Sequence, residues 1–453
     1  SHSYSHSLFC FCLVVLFMNN EIETKKEFWE NGKLKQELQF KNGKQEGLQI
    51  SWYESGKKRS EYYCQNGEIQ GLCTWWHESG SKEQETNYKD SLQEGLSTCW
   101  YESGEMQSEA YWENGNLEGL STCWYESGSK EQEYNSKNGI PVGLETFWYE
   151  SGKKKSELFW ENGEKIREIN FYESGEKENE THYENGMKTK EIIYKSGFHM
   201  VGKVESHYKN GMQEGLETWW YKSGEKERER HFKNGKLEGT ETKWHITGKK
   251  IRERPYKDGV QEGLVTHWYE TGEKHIETPY NNGKGEGLCT HWYKSGAKEG
   301  EYYLKNDLEE GLQISWYESG EKKCEFYCEN GGVEGLFAEW YKSGAKKEES
   351  YYENGQENGV ETEWYESGQK EWEIYWENGY ANGVETEWYE SGEKACEFYW
   401  ENGEQTIEIN FYKSGRKKLL THYKNGKENG VRKEWDENGK LTFQGNFVDG
   451  NEK

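Results

Sequence analysis

Aliphatic residues are scarce in this chain. Only 32% of its 453 residues are hydrophobic, and aromatics alone make up 16%. A chain of this length ordinarily builds two or three domains around aliphatic cores. This one lacks the Leu, Ile and Val to do so. Long apolar runs are missing too. The longest, Leu8 to Phe17, has ten residues, too few to span a membrane as a helix. Basic charge is in deficit, with 58 Lys and Arg against 84 Asp and Glu and a net charge of −26. That balance repels nucleic acid and anionic lipid alike. There are ten cysteines but no Cys-x-x-Cys pair, which argues against zinc. No Gly-x-x-x-x-Gly-Lys-Ser/Thr loop is present to cradle a phosphate. Proline occurs three times.

What the chain has in quantity is Trp, Tyr and Gly in strict register. Gly32, Gly56, Gly80, Gly104, Gly128 and Gly152 follow one another at a constant interval of twenty-four. So do Gly224, Gly248, Gly272, Gly296, Gly320, Gly344, Gly368 and Gly392. Adding Gly175, Gly197, Gly415 and Gly439 makes eighteen copies and seventeen intervals, thirteen of them of that length. A fixed period in this range means an array of small units, none able to bury its apolar face alone. Low hydrophobicity with high charge would otherwise suggest disorder, but aromatics in register exclude that here. A feature present in every unit is architecture before it is an active site.

Each unit has room for two short strands, two turns and no helix. Between Gly95 and Gly119, Leu96, Thr98 and Trp100 alternate with Ser97, Cys99 and Tyr101. Glu102-Ser103-Gly104 breaks the run. A second run, Ser108 to Trp112, leads into Asn114-Gly115, the strongest short hairpin signal, since both residues accept the positive φ of a type I′ turn. Ser103-Gly104 is read as a weaker turn of the same two-residue kind. On that basis Thr98 faces Glu109, and Trp100 and Glu109 share a face with Tyr111, while Tyr101 and Trp112 share the other. Ser91 and Asp307 replace the second glycine in two copies, and Pro255 and Pro279 share one register. Proline there implies a backbone N–H without a ladder partner. The expected fold is all-β: an elongated, twisted antiparallel meander or open solenoid of about eighteen two-stranded units. A compact sphere in small-angle scattering would exclude it.

Residues 21–453 are expected to form one continuous array, irregular at 163–211. There the intervals are twenty-three, twenty-two and twenty-seven, and the Glu-Gly-Leu link between units is lost. Residues 1–20 stand apart as an apolar segment, either upstream sequence that is not native or a truncated signal. Segment 159–187 closely matches 399–427, ten units later, as duplication of multi-unit blocks would produce.

Units of the form Trp-Tyr-Glu-Ser-Gly, Tyr-x-Asn-Gly and Glu-Gly-Leu resemble MORN repeats (membrane occupation and recognition nexus). The closer resemblance is to the variant in YwqK-type antitoxin components. The last unit fits it best, with Glu437-Asn438-Gly439, Lys440, Gln444-Gly445, Phe447 and Asp449-Gly450. Internal units depart where that variant has Gly after Glu, carrying Tyr62, Ala110, Leu158 or Phe326. The resemblance covers residues 24–450 and implies a β-repeat fold. For function it implies binding, with neutralisation of a partner toxin as one form and organisation at a membrane as another.

Catalytic readings fail the repetition test. Ser103 has near-copies at Ser55, Ser127, Ser319 and Ser391, and a nucleophile needs one particular base and oxyanion hole. His267 and His291 occupy a register that holds Cys or Glu elsewhere, which marks them as surface residues. Cys99 and Cys123 share a register, as do Cys73 and Cys289, so the thiols read as reduced, neutral variation in a cytoplasmic protein. The chain is therefore expected to be a non-catalytic scaffold for protein–protein interaction, with no cofactor, metal or nucleic acid, disfavoured at membranes and compatible with self-association. Tyr365, Tyr389, Trp376 and Trp400, in the most regular stretch, are the candidate partner contacts, because Trp and Tyr dominate binding hot spots.

Overall fold

A computed structural model describes residues 21–195 and 201–453. The described residues are strands and turns, with no helix among them. They fall into two compact units, one holding 21–195 and 203–211, the other 201–202 and 212–453. The division lies inside the irregular stretch. Residues 1–20 lie outside the described residues. Within each unit the strands pair antiparallel with their chain neighbours, as a meander does.

The second unit shows the repeat at its most regular. Gly359–Trp364, the Trp strand, pairs with Lys370–Glu377, the Glu strand. The Asn-Gly connection is the expected type I′ turn: Asn354 and Gly355 have φ of 55° and 74°, and Glu353 stands opposite Gln356. Ser91 and Asp307 hold the same conformation at φ of 65° and 70°. Their side chains offset that strain by accepting backbone N–H groups of the preceding unit, Ile69 to Ser91 Oγ at 3.0 Å and Gly285 to Asp307 Oδ1 at 2.6 Å.

The Ser-Gly turn is not of that kind, and the expectation is corrected. At Ser367-Gly368 only the glycine has positive φ. Gly368 N–H donates to Tyr365 O at 2.8 Å and Tyr365 N–H to Gln369 O at 2.9 Å. This is a type I turn followed by a left-handed glycine, a three-residue loop. It sets Trp364 opposite Lys370, one step out of the predicted register. A bulge at Glu371 then restores it, so Glu363 faces Trp372 and Thr362 faces Glu373. Thr98 does face Glu109, but two compensating irregularities bring them there. The bulge also inverts the alternation of side chains. Lys370 and Glu373, three apart, therefore share a face and form an ion pair.

A second irregularity joins the units. Glu118 N–H reaches Tyr111 O at 2.9 Å, and the next pair is Thr122 opposite Glu109. Four steps on one strand answer two on the other, with Gly119 at φ 78°. In the shorter copy that ends at Gly175 the detour has lost one residue: Trp160 faces Lys165 and Phe159 faces Arg167. Ile169 still lands opposite Glu157. At the proline register, the N–H goes to a side chain in two other units, Gln39 to Gln49 Oε1 at 3.1 Å and Tyr303 to Gln313 Oε1 at 3.0 Å. Pro255 and Pro279 thus forfeit no ladder bond.

No deep aliphatic core forms among the described residues. The largest fully buried side chains include Gln49 and Gln313, each hydrogen-bonded to backbone of the facing strand, as buried amides require.

Candidate interaction face

The two faces of the sheet carry different chemistry. One repeats from unit to unit. Lys346 pairs with Glu349 and lies 5.6 Å over the ring of Trp364 in the next unit. Lys370 does the same with Glu373 and Trp388, at 5.7 Å. Lys58, Lys82, Lys130, Lys226, Lys274, Lys298 and Lys322 repeat the arrangement over Trp76, Trp100, Trp148, Trp244, Trp292, Trp316 and Trp340. Sequence reasoning singled out the Trp and Glu of this lattice and missed the Lys between them. Its signal was present, two residues after most first glycines. Beyond the lattice, Leu312 and Tyr327, Leu336 and Tyr351, and Val360 and Tyr375 form exposed cross-strand rungs. A groove of about 450 Å³ lies between the first two of these.

Tyrosines at the Ser-Gly turn connect unit to unit. Tyr341 Oη donates to Trp364 O, Tyr365 to Trp388 O and Tyr389 to Phe411 O, at 2.9, 2.9 and 3.0 Å. The same bond recurs from Tyr53 to Tyr412, and His77 Nε2 supplies it to Trp100 O at 3.0 Å.

The opposite face varies. Its central row runs across the strands, and in the regular copies its members are separated along the chain by alternating steps of nine and fifteen. In the first unit it is neutral: Gln84, Cys99, Ser108, Cys123 and Gln132 follow one another. In the second it starts at Trp219 and turns basic, with Arg228, Lys243, Arg252 and then His267. Further along it is acidic, with Glu339 opposite Glu348, Glu348 opposite Glu363, Glu363 opposite Trp372 and Trp372 opposite Glu387, before Cys396, Asn410 and Leu419 follow. Like charges directly opposite are destabilising. Of these carboxylates Glu339 has an ion pair, with Lys347 at 2.6 Å; among the described residues the others have none.

The adjoining row sharpens the contrast. Glu217 faces Arg230 and binds its guanidinium at 2.5 Å. Burial works to raise the Glu217 carboxyl, but hydrogen bonds from Trp219, Gln213 and Arg230 hold it below its ordinary value. Glu361 and Glu385 occupy the equivalent place with Ile374 and Phe398 opposite. Each accepts one indole N–H, from Trp376 at 2.6 Å and Trp400 at 2.7 Å. Burial, then Glu357, Glu348 and Glu363, push Glu361 up to about 7 against that bond. Glu385 is raised by burial and Glu387, and Glu348 by burial, Glu363 and Glu339.

Two of the four predicted contacts come together here. Trp376 and Trp400 line a groove of about 390 Å³ with Trp372, Ile374, Tyr380 and Ala381. Tyr365 and Tyr389 do not line it; their hydroxyls are held by the next unit. The row's carboxylates and Trp372 went unnoticed in sequence because the spacing alternates; reading one register down the copies would have exposed them. The eight cysteines among the described residues also sit on this variable side. Burial pushes the Cys73 and Cys396 thiols up to about 12, with Cys64 adding to the first and Glu387 to the second, so they are poor nucleophiles. Among the described residues no three His, Cys, Asp or Glu stand grouped to hold a metal ion, and no helix is long and apolar enough to cross a membrane.

Comparison with known proteins bears on the repeat. No curated protein matches the chain. Among solved structures, the crystal structures of TcdB2-TccC3-Cdc42 and TcdB2-TccC3 align over 94% of this chain at 8% identity, with TM-scores of 0.13 and 0.12. The Photorhabdus luminescens Tc holotoxin pore aligns over 95% at 9% identity and a TM-score of 0.12. The chain spans 31%, 31% and 30% of those chains, and likeness at this level carries neither fold nor function. The family profile described as the MORN repeat variant matches nine times, at residues 24–42, 45–66, 69–90, 93–114, 117–138, 141–162, 213–234, 261–282 and 428–449. Those matches coincide with hairpin units described above, and the chain carries repeats of the MORN repeat variant at those places.

Proposed function

We propose that this chain is a non-catalytic scaffold that binds a protein partner through the variable face of its second unit. Repeats of this family generally serve interaction with proteins or membranes. The observation that carries the proposal is the segregation of constant and variable positions by face. Constant positions hold the Lys–Glu–Trp lattice. Positions that differ between units gather on the other side, where a change of side chain leaves the lattice intact. Recognition of one particular partner needs such individuality, and repetition alone cannot supply it.

Trp376 and Trp400 are the proposed anchors, since each offers a large half-buried ring beside a groove. Tyr365 and Tyr389 are assigned to holding units together. The test is a pull-down from the native source with three baits. Wild type and Tyr365→Phe should recover the same partner, and Trp376→Ser/Trp400→Ser should lose it. Retention by the tryptophan double variant, with its fold intact by circular dichroism, would remove this face from consideration.

A further inference from the structure

We propose that the groove over Trp372, Trp376, Tyr380 and Trp400 receives an extended, arginine-bearing segment of the partner protein; this rests on the binding role just proposed for that face. The groove offers aromatic surface bordered by acid. Glu363 and Glu387 flank Trp372 in the row, Glu361 and Glu385 flank it in the next, and the bulge residue Glu371 lies between. Burial, then Glu363 and Glu387, raise the Glu371 carboxyl. With Glu339 and Glu348 that is seven carboxylates on one side of the sheet, and among the described residues Lys347 is the one cation ion-paired to any of them. A guanidinium meets both halves of such a surface. Its plane stacks on indole, and its donors fork onto carboxylate. Lysine would supply charge without the plane.

Spacing limits the conformation. Glu363 and Glu387 lie two strands apart, about 10 Å. An extended segment of the polyproline II type rises about 3.1 Å per residue and returns to the same side every third residue. Arginine at every third position therefore matches the carboxylate spacing across the strands.

A second copy of the chain is the other occupant to weigh, because the same face is basic at its far end. That basic stretch is largely neutralised where it stands. Arg228, Arg230, Lys243, Arg252 and Arg254 are accompanied by Glu217, Glu227 and Glu241, with ion pairs from Glu217 to Arg230, Glu227 to Lys243 and Glu241 to Arg252. Five cations less three carboxylates cannot answer seven carboxylates less one lysine. A foreign basic segment fits the excess.

The probe is a fluorescein-labelled peptide of four Arg-Pro-Pro repeats, titrated by anisotropy against the full chain at physiological salt. Gln-Pro-Pro and Lys-Pro-Pro peptides serve as controls. The arginine peptide should bind, the lysine peptide more weakly and the glutamine peptide not at all. Glu363→Gln/Glu387→Gln should weaken binding about tenfold or more, in the range of a truncated charge pair. Glu366→Gln/Glu390→Gln removes the same charge from exposed turns and should change it less than about twofold. Equal losses in the two double variants, or no binding of the arginine peptide by wild type, would overturn the proposal. So would self-association of wild type in sedimentation that Glu363→Gln/Glu387→Gln abolishes, which would identify a second copy as the occupant. If the native partner depends on Trp376 and Trp400 while the arginine peptide fails to bind, the face is right and its assigned chemistry is wrong.

Discussion

Single side chains in this molecule act mainly on the neighbouring unit. Tyr341 is typical: its hydroxyl crosses to Trp364 O, a carbonyl of the following hairpin. Tyr341→Phe keeps the ring and removes that bond, so stability measured by urea titration should fall by about 1 kcal/mol. Glu361 behaves differently, because its surroundings oppose its charge. Its folded pKa of about 7 stands above the ordinary carboxylate value of 4.5. The folded state therefore holds the proton more tightly than the unfolded chain. The associated stability is fully present below about pH 4.5 and is lost as pH rises through 7. Raising the pH from 5 to 8 should cost roughly 2 kcal/mol at this site, since a tenfold change in proton affinity is worth about 1.4 kcal/mol. Glu361→Gln should flatten that dependence in urea titrations at the two pH values. Cationic peptide should also bind more tightly at pH 8 than at pH 6, because Glu361 ionises across that interval beside the groove, among Glu348, Glu357, Glu363, Glu371 and Glu385.

Among elements, the hairpin pair is the unit that can be removed. Deleting 345–368 joins Gly344 to Gln369 and leaves a Trp strand followed by a Glu strand, as in every native copy. Cooperative melting near the parent temperature is expected, less the nearest-neighbour stabilisation of one unit. Deleting 357–368 removes the Trp strand and sets two Glu strands in succession. Side chains meant for one face then meet the other, and a broad transition or aggregation should follow. Identical thermal profiles for the two deletions would mean that the two-strand repeat is not the folding unit. The strands and the Asn-Gly turns were legible in sequence because they follow directly from period and turn chemistry, and the Thr98–Glu109 register came out right only because two irregularities cancel. The form of the Ser-Gly turn was not. Its one-step offset is cancelled by the bulge within three residues, so the pairing beyond it looks the same for either turn.

For the molecule as a whole, charge is the property that composition announces and structure localises. A net charge of −26 gives no position, whereas the row through Glu339, Glu348, Glu363 and Glu387 does. Self-repulsion of this kind is screened by salt over a distance of about 8–10 Å. Melting temperature should therefore rise with sodium chloride, and Glu348→Gln should reduce the rise by relieving its two facing carboxylates in advance. The aromatic half of the candidate site was partly visible, since Trp376 and Trp400 stand in a strict register. The acidic half was not, because its members are adjacent across strands and scattered along the chain. The detour at the link between units has a further consequence. It contains the stretch where a residue can be lost while Ile169 still meets Glu157 as Thr122 meets Glu109. Among the described residues the copies also begin and end on the same two strands. Errors of copying that add or drop whole units, or trim one residue at the link, therefore yield chains that still fold. Length can drift during inheritance while the lettering on the variable face is revised separately, one side chain at a time.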